Sequence, residues 1–259
     1  MRELGSALVC FSGGVDSAFV LAVAHEVLGD RAAGLTTVSP SLAPAEREEA
    51  LSLAREIGAR HYLVESQEIH DPRYAANPTN RCYYCKTELY RIAQVEAKKL
   101  GFAHILNGTN RDDLGDFRPG LEAASEAEVV SPLVELGFTK DDVREAAKAV
   151  GLRVWDKPAA ACLSSRIPYG TEVTMQRLEQ IAAAESAIKS LGLKQIRVRY
   201  HGDIARVEVS TQELDKAFGL RREIVTAGKK AGFTFVTLDL EGYRTGSHNE
   251  VVKLKVLHG

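Results

Sequence analysis

A short glycine-containing segment near the amino terminus, Ser12-Gly13-Gly14-Val15-Asp16-Ser17, constrains this chain more than any other feature. The apolar residues 7–11 before it are typical of a buried strand, and residues 18–24 after it favour a helix. A glycine pair at such a junction lets the backbone turn tightly and directs several N–H groups toward one point, where the start of the helix adds positive potential. Asp16 is placed to hold a magnesium ion or to cap the helix. The segment therefore predicts an anion-binding loop.

This loop differs from the phosphate loop of kinases and many nucleotide hydrolases, because that loop has a lysine before its Ser or Thr and none stands here. The pattern resembles the PP-loop of ATP pyrophosphatases, which bind the β- and γ-phosphates of ATP. The resemblance implies cleavage of ATP between its α- and β-phosphates, which leaves an adenylated substrate. An ordinary glycine-rich turn is the alternative, and the match over all six residues from Ser12 to Ser17 disfavours it.

The first half of the chain alternates between strand and helix patterns. Strands are predicted at 7–11, 32–38, 60–64 and 104–107, and helices at 16–28, 43–57, about 85–100 and 140–150. This alternation predicts an α/β fold with a doubly wound, mainly parallel sheet that has helices on both faces. Ligands of such sheets bind at the carboxyl ends of the strands, where the loop, Ser39 and residues 108–113 all fall.

The pattern changes after a stretch of small residues and prolines at 156–170. Then follow a long helix at 172–191, a hairpin of alternating strands at 195–200 and 204–209, a helix at 211–230 and a strand at 233–240. We therefore expect two domains. Residues 1–170 form a PP-loop ATP pyrophosphatase domain, and residues 171–259 form a smaller α+β domain for substrate binding or oligomerisation.

Composition excludes several classes of partner. Hydrophobic residues make up 45% of the chain and charged residues 26%, as in ordinary globular proteins. A formal net charge of −2 disfavours nucleic-acid binding through a basic surface. No apolar run approaches the roughly 18 residues of a membrane span, and no signal peptide is predicted. Four cysteines without an export signal favour reduced thiols. We expect a cytoplasmic protein with neither a membrane nor a nucleic acid as partner.

The cysteines suggest a metal or redox site. Cys82 and Cys85 form a Cys-x-x-Cys pair where a loop meets a helix, and Cys162 lies in another loop. Cys10, inside the first strand, is predicted to be a buried core thiol. Three thiolates suit an iron–sulfur cluster with one open iron, whereas Cys82 and Cys85 alone suit a redox dithiol. A structural zinc needs a fourth ligand, for which His70 is the nearest histidine, and unrelated thiols are the remaining alternative.

Several segments that occur in one order along the chain point to a family. They are Ser12-Gly13-Gly14-Val15-Asp16-Ser17, Asn80-Arg81-Cys82-Tyr83-Tyr84-Cys85-Lys86, Gly108-Thr109-Asn110, Arg118-Pro119-Gly120, Lys157-Pro158, Ser164-Ser165-Arg166-Ile167-Pro168-Tyr169-Gly170 and Arg197-Val198-Arg199-Tyr200-His201. The chain resembles the LarE family of ATP-dependent sulfur transferases over nearly its whole length. The segments around Ser164 and Arg197 are far more specific than the loop alone.

The resemblance implies a role in the biosynthesis of the nickel-pincer nucleotide cofactor of lactate racemase. The substrate is then pyridinium-3,5-biscarboxylic acid mononucleotide, whose two carboxylates are treated in turn. Each is adenylated with ATP and magnesium and then converted to a thiocarboxylate, with release of AMP and pyrophosphate. The resemblance also implies a homo-oligomer, namely a hexamer, and sulfide or another sulfur donor as a partner.

Two forms of the family differ in the source of sulfur. One form gives up the sulfur of its own cysteine, and the resemblance places that cysteine where this chain has Ala161. The other form holds a 4Fe-4S cluster by three cysteines, which match Cys82, Cys85 and Cys162, and its fourth iron carries a sulfide. The resemblance therefore implies a 4Fe-4S enzyme that turns over without being consumed.

The resemblance assigns the remaining site residues to three groups. The residues that bind the ATP phosphates and the metal are then Ser12, Gly13, Gly14, Asp16 and Ser17. Those that contact adenosine are Thr37, Ser39, Gly108, Thr109 and Asn110. Those that bind the phosphate of the substrate are Ser165, Arg166, Arg197 and Arg199. Arg197 and Arg199 alternate along a strand, so both point to one face and can clamp a phosphate, unless that face is merely solvated. Glu185, on the long helix, is a candidate metal contact, but a charge on such a helix is usually solvated, and this is the interpretation that we prefer.

Three other functions compete with this interpretation. A tRNA thiolase of the same superfamily also joins a PP-loop to cysteines, but the acidic net charge disfavours it. An amide-forming PP-loop synthetase of the NAD or GMP synthetase type leaves three cysteines without a role. A non-catalytic regulator that binds a nucleotide and senses through a cluster would not turn over ATP when substrate is added.

Overall fold

The computed structural model describes residues 1–115, 120–158 and 161–244. The chain divides into two compact units, the first of Met1–Tyr74 with Asn80–Ala160 and the second of Ala75–Thr79 with the chain from Ala161 onward. The sequence predicts a boundary at residue 170, whereas the segment from Ala161 already belongs to the second unit. Arg118 and Pro119, which carry part of the family resemblance, lie outside the described residues.

The first unit contains a four-stranded sheet whose strands are all parallel, which confirms the predicted α/β class. The strands are β1 (Ala7–Cys10), β2 (Ala32–Val38), β3 (Arg60–Glu65) and β4 (His104–Leu106), and they lie in the order β3-β2-β1-β4. The chain therefore leaves β1 toward β2 on one side and later reaches β4 on the other side. Such a point of reversal is where doubly wound sheets bind their ligands.

Helices connect the strands of this unit. They are α1 (Val15–Leu28), α2 (Pro44–Ile57), the short α3 (Pro72–Ala75), α4 (Arg81–Leu100), α5 (Gly120–Glu126), α6 (Pro132–Glu135) and α7 (Lys140–Ala149). Local sequence fixes several of their ends. Pro44 occupies the first turn of α2, and Gly58 ends that helix in a left-handed conformation with φ 79°. Thr139 and Asp142 form a reciprocal capping box at the start of α7.

Strand β1 is buried on both faces and joins two hydrophobic cores. Ala7 and Val9 contribute to a core shared with α1, α2 and α7, whereas Leu8 and Cys10 contribute to a second core with α4 and α5. Because alternate side chains of a strand point to opposite faces, these two cores show that helices cover both faces of the sheet, as predicted. The loop that follows β1 is therefore attached to a strand that is packed on both faces.

The described residues of the second unit contain a three-stranded sheet and three α-helices. The strands β5 (Ile196–His201) and β6 (Ile204–Val209) form the predicted antiparallel hairpin, and β7 (Phe235–Leu238) pairs with β6 in parallel. The helices are α8 (Met175–Lys189), α9 (Leu214–Gly219) and α10 (Arg221–Lys230), so the single helix predicted at 211–230 is interrupted. The helix and strand content agrees with the predicted α+β class.

The start of α4 and the region that follows β4 differ from the secondary structure predicted from the sequence. Helix α4 begins at Arg81, earlier than the predicted residue 85, so Cys82 and Cys85 both lie at its start. Residues 111–131, where the sequence predicts neither a helix nor a strand, include the short helix α5 and a 3-10 turn at Arg111–Gly115. Within the described residues, no helix combines the length and the apolar character needed to cross a membrane.

Candidate functional site

The glycine-containing loop connects the carboxyl end of β1 to the first turn of α1 in the middle of the sheet. Its two serines stabilise the loop from within, because the Ser17 hydroxyl accepts a hydrogen bond from the Ser12 N–H at 3.2 Å and donates one to the Gly14 carbonyl at 3.1 Å. The Ser12 hydroxyl lies 3.1 Å from that of Ser17 and accepts a long contact from the Gly14 N–H at 3.4 Å. The predicted strand–turn–helix context is thus present.

Two glycines allow close backbone packing at this loop. Gly13 has φ +73°, and a Cβ there would lie 3.2 Å from the Cα of Ala50 in α2. A Cβ on Gly108, which follows β4, would lie 2.6 Å from the backbone nitrogen of Ser17. The segment after β4 therefore packs directly against the start of α1, and only glycine fits at that contact. This contact brings residues 108–110 to the glycine-containing loop.

Asp16 is the acidic group of the loop region. It lies in the first turn of α1, where its Oδ1 accepts a hydrogen bond of 2.9 Å from the side-chain amide of Asn110. Asn110 is itself buried and fixed, because its Oδ1 accepts from the N–H groups of Asp112 and Asp113. The Asp16 carboxylate is therefore oriented by Asn110 through one oxygen, and within the described residues its other oxygen has no protein donor.

The residues predicted to frame adenosine lie at the ends of the two strands that flank β1. Thr37 is in the last part of β2 and pairs with Val64, while Ser39 follows the strand and its hydroxyl lies 2.8 Å from that of Ser41. On the other side, the Thr109 N–H donates to the side chain of Asn107 at 3.0 Å. Both segments stand at the carboxyl edge of the same sheet as the loop, which is the arrangement the prediction requires.

The cysteine pair of the first unit projects from a helix start. Cys82 is exposed and Cys85 is partly exposed, and their spacing of three residues places both on one side of α4. Cys10 is buried, as predicted, and burial raises the pKa of its thiol to about 12, so it stays protonated and unsuited to metal binding. Cys162 belongs to the second unit, and within the described residues no group of three His, Cys, Asp or Glu side chains is arranged to hold a metal.

Cys162 is exposed at the start of a 3-10 turn, Leu163–Arg166, and arginine holds this turn in place. One terminal nitrogen of Arg166 donates to the carbonyls of Ala161 at 2.6 Å and Cys162 at 2.9 Å. The other side of the guanidinium forms a two-point ion pair with Glu185, at 2.9 and 3.2 Å. Glu185 also accepts from the Val198 N–H at 2.9 Å, so it is a structural partner and not the solvated charge that the sequence predicts.

Arg199 forms a second clamp on the same turn. It donates to the Ser165 carbonyl at 3.0 Å, and it pairs with Glu208 through Nε at 3.0 Å and a terminal nitrogen at 2.9 Å. The Glu208 side chain is only 1% exposed and receives a further ion pair of 3.0 Å from the more exposed Arg206. A carboxylate buried to this degree is stable only while cations pair with it. Arg166 and Arg199 are therefore both engaged with carboxylates and with the turn that carries Cys162.

Arg197 differs from these two arginines. It projects from the same face of β5 as Arg199, as predicted, but among the described residues no carboxylate pairs with it. Its guanidinium donates to the Ile196 carbonyl at 2.7 Å and stacks over the Tyr243 ring at 5.3 Å. Burial and the neighbouring charges of Arg166 and Arg199 lower the pKa of Arg197, although Glu185 opposes this effect. An anion beside Arg197 would relieve this concentration of positive charge.

The Arg199–Glu208 pair gives a prediction for stability. Replacing Arg199 by methionine leaves Glu208 buried beside Arg206 alone, and we expect the free energy of unfolding to fall by about 3–5 kcal/mol. Arg206→Met removes a 39% exposed partner and should cost less than about 1 kcal/mol. Denaturant unfolding measures both. A double variant, Arg199→Met with Glu208→Leu, should recover most of the loss, and equal effects of the two single variants would contradict the asymmetry.

Several contacts near the site have little or no signal in the sequence. In the sequence, Lys157 stands out only as part of a segment that carries the family resemblance, yet its ammonium lies behind the glycine-containing loop, 3.4 Å from the Gly13 carbonyl. Glu46 and Glu49 of α2 hold that ammonium, and the sequence predicts no role for either. The sequence also predicts no role for Glu208, the buried partner of Arg199. The only sequence signal for the two glutamates is their spacing of three residues, which places them on one face of the helix.

Known proteins resemble the chain over between 73% and 97% of its length. A protein of unknown function from Synechocystis, slr1717, is 46% identical over 255 residues, which cover 96% of this chain and 94% of the relative. Pyridinium-3,5-bisthiocarboxylic acid mononucleotide synthase from Lactiplantibacillus plantarum is 37% identical over 253 residues, which cover 97% of this chain and 92% of the synthase. A component of the glutamine-hydrolysing GMP synthase from Thermococcus kodakarensis is 25% identical over 208 residues, which cover 73% of this chain and 67% of that relative. No protein-family model matches the chain.

Proposed function

Because this chain belongs to the LarE family of PP-loop enzymes, we propose that it converts the carboxylates of pyridinium-3,5-biscarboxylic acid mononucleotide to thiocarboxylates at the expense of ATP. The observation that carries the proposal is the match to the named synthase over 97% of the chain. The loop after β1, with its two serines and the oriented Asp16, supplies the phosphate site that such an enzyme needs.

The proposed reaction has two stages. In the first, a carboxylate oxygen of the substrate attacks the α-phosphorus of ATP, the bond to the β-phosphate oxygen breaks, and pyrophosphate leaves. In the second, hydrosulfide attacks the carbonyl carbon of the acyl adenylate, AMP leaves with the electron pair of the broken C–O bond, and the proton goes to solvent. Adenylation is needed because a carboxylate is a poor electrophile. N–H groups of the loop and the start of α1 stabilise the negative charge that develops on pyrophosphate.

The acidic group of the loop fits a magnesium ion. Asn110 orients the Asp16 carboxylate through one oxygen, and the other oxygen has no protein donor among the described residues. Magnesium, when bound with ATP, supplies a Lewis acid that neutralises phosphate charge. Asp16 is the residue that we propose holds it. The two serine hydroxyls of the loop contact each other at 3.1 Å and hold the loop in shape beside this carboxylate.

The thiols fit an iron–sulfur cluster in number and accessibility. Cys82 and Cys85 stand on one side of α4 at its start, and Cys162 is exposed on a turn that two buried arginines fix. We propose that these three thiolates hold a 4Fe-4S cluster, which supplies an iron site for hydrosulfide when bound. A fixed turn at Cys162 limits the freedom of its thiolate, which favours ligation. Sulfide in solution is then the sulfur donor, and hexamer formation stays a prediction.

Two alternatives from the same superfamily are weaker. The similarity to the GMP synthase component covers 73% of the chain at 25% identity, and an amide-forming reaction gives no role to three accessible thiols. A tRNA thiolase requires a basic surface, whereas the formal net charge is −2. The proposed sulfur transfer gives a role both to the glycine-containing loop and to the three thiols.

Product analysis tests the proposal. Protein prepared without oxygen is incubated with MgATP, the biscarboxylic mononucleotide and sulfide. We expect AMP and pyrophosphate only when the mononucleotide is present, with one AMP formed for each thiocarboxylate. Release of ADP and phosphate, or formation of an amide from ammonia in place of a thiocarboxylate, would contradict it. ATP binding without substrate-dependent turnover would favour a regulator.

Arg197 gives a prediction for substrate binding. Its guanidinium lacks a carboxylate partner among the described residues, so we propose that it is the main ligand of the mononucleotide phosphate, supported by Ser165, Arg166 and Arg199. Arg197→Ala should raise the dissociation constant of the mononucleotide by about tenfold or more, because a charge-assisted hydrogen bond is lost. The dissociation constant of ATP and the free energy of unfolding should change little. Equal weakening of both ligands would assign Arg197 to the fold or to the nucleotide.

A further inference from the structure

The Lys157 ammonium is held behind the glycine-containing loop by two carboxylates. Its Nζ lies 2.7 Å from Glu46 and 2.9 Å from Glu49, both on α2, and the lysine side chain is only 14% exposed. Glu49 also receives an ion pair of 3.1 Å from Arg153. Burial raises the pKa of Glu49, but hydrogen bonds and charges from Lys157 and Arg153 outweigh this, so the net shift is downward. The lysine is therefore a charge-compensated group and not a free cation awaiting a ligand.

The third contact of this ammonium is to the loop itself. Lys157 Nζ lies 3.4 Å from the carbonyl oxygen of Gly13, a long but charge-assisted contact. Helix α2 borders the loop at the same place, where Ala50 is the residue that a Cβ on Gly13 would meet. Lys157, Glu46, Glu49 and Ala50 thus form one wall behind Gly13.

The direction of one carbonyl determines the direction of the next N–H. In a trans peptide the C=O of Gly13 and the N–H of Gly14 point in opposite directions. A carbonyl held toward Lys157 therefore turns the Gly14 N–H away from it and into the loop, where it contacts the Ser12 hydroxyl at 3.4 Å. Glycine on both sides makes this peptide unit easy to rotate. A rotated unit would present a carbonyl oxygen to the phosphates, which repels them.

We infer that Lys157, anchored by Glu46 and Glu49, is a positioning residue that fixes the Gly13–Gly14 peptide. Its Gly14 N–H, which makes only a long contact to the Ser12 hydroxyl, is thereby kept on the side of the loop where the phosphates are proposed to bind. The inference rests on the proposed binding of ATP by this loop. It assigns a role to the Lys157-Pro158 segment, and it makes α2 part of the ATP site although α2 places no side chain in the loop. Lys157 acts through the backbone, so its loss should weaken ATP binding more than it slows the step that follows.

Calorimetric titration with MgATP, together with steady-state kinetics, tests the inference. In Lys157→Met we expect the dissociation constant and the KM of MgATP to rise about tenfold or more, since a charge-assisted contact that directs the loop is lost. The kcat at saturating ATP should stay within about threefold of wild type, because the same N–H serves ground and transition states. Lys157→Arg, which keeps the charge, should restore part of the affinity.

Arg153→Met is the matched control. Arg153 shares Glu49 with Lys157 and also pairs with Glu56, but its contacts do not include Gly13. Both variants remove a cation from Glu49. A decrease in thermal stability that occurs in both variants is therefore the effect of losing that ion pair, and it does not bear on the contact with Gly13. Unchanged MgATP affinity in Lys157→Met, or an equal decrease in Arg153→Met, would overturn the inference. If Lys157→Met does not fold, the affinity of Glu46→Gln for MgATP is measured instead. Weaker binding of MgATP would support the inference, and unchanged binding would overturn it. A wild-type protein that fails to bind MgATP would instead refute the proposed function.

Discussion

Asp16→Asn should abolish the substrate-dependent release of AMP while the fold remains intact. The amide of asparagine keeps an oxygen that accepts from Asn110, at present a contact of 2.9 Å, so the geometry of the loop persists. What disappears is the negative charge that we propose holds magnesium beside the ATP phosphates. Without it the charge that develops on pyrophosphate is less well stabilised, and we expect kcat to fall by about a hundredfold or more. Product formation is measured at several magnesium concentrations.

Asp141→Asn is the control for this prediction. Asp141 is the second residue of α7, as Asp16 is the second residue of α1, so each carboxylate interacts with the positive end of its own helix. Asp141 is exposed and belongs to no predicted site. Its replacement should leave AMP release unchanged. If Asp16→Asn retained AMP release within a few-fold of wild type, with the same dependence on magnesium, Asp16 would have no role in metal binding.

The central sheet and the strand–turn–helix conformation of the glycine-containing loop could be predicted from the sequence, because their signals are local. A buried strand, a glycine pair and a helix start occupy consecutive positions, and the hydrophobic alternation of β5 and β6 is equally local. The alternation also predicts correctly that Arg197 and Arg199 share one face. Helix α4 is predicted too short because Cys82-Tyr83-Tyr84-Cys85 has no strong helix-start signal, and Asn80 makes no side-chain cap there.

The partners of the charged side chains could not be predicted, because they depend on tertiary contacts. Arg166 pairs with Glu185 at a separation of 19 residues, and Lys157 meets Gly13 at a separation of 144. No periodicity relates such positions. The arginines predicted to bind a phosphate therefore include two, Arg166 and Arg199, whose guanidiniums already pair with carboxylates. Their ion pairs distinguish them from Arg197, and only a structure reveals such pairs.

The cysteines carry the second large prediction. Serine at any one of Cys82, Cys85 or Cys162 should remove most of the iron bound after anaerobic purification and reduce thiocarboxylate formation to near background. A 4Fe-4S cluster held by three protein thiolates loses its support when one is removed. Cys10→Ala is the control, because this thiol is buried and its pKa is about 12. Full zinc occupancy without iron, or iron content that Cys162→Ser leaves unchanged, would contradict the three-cysteine site.

The same thiols determine whether the enzyme is consumed. Ala161 stands where the resemblance places a sacrificial cysteine, and Cys162 follows on a turn whose carbonyls Arg166 and Arg199 hold. If Cys162 remains a ligand, the transferred sulfur comes from added sulfide and no C–S bond of the protein breaks. Intact mass should then be unchanged after reaction, and more than one thiocarboxylate should form per chain. Loss of one sulfur atom with dehydroalanine at Cys162 would instead show that the protein is the donor, because that product requires cleavage of the Cβ–S bond.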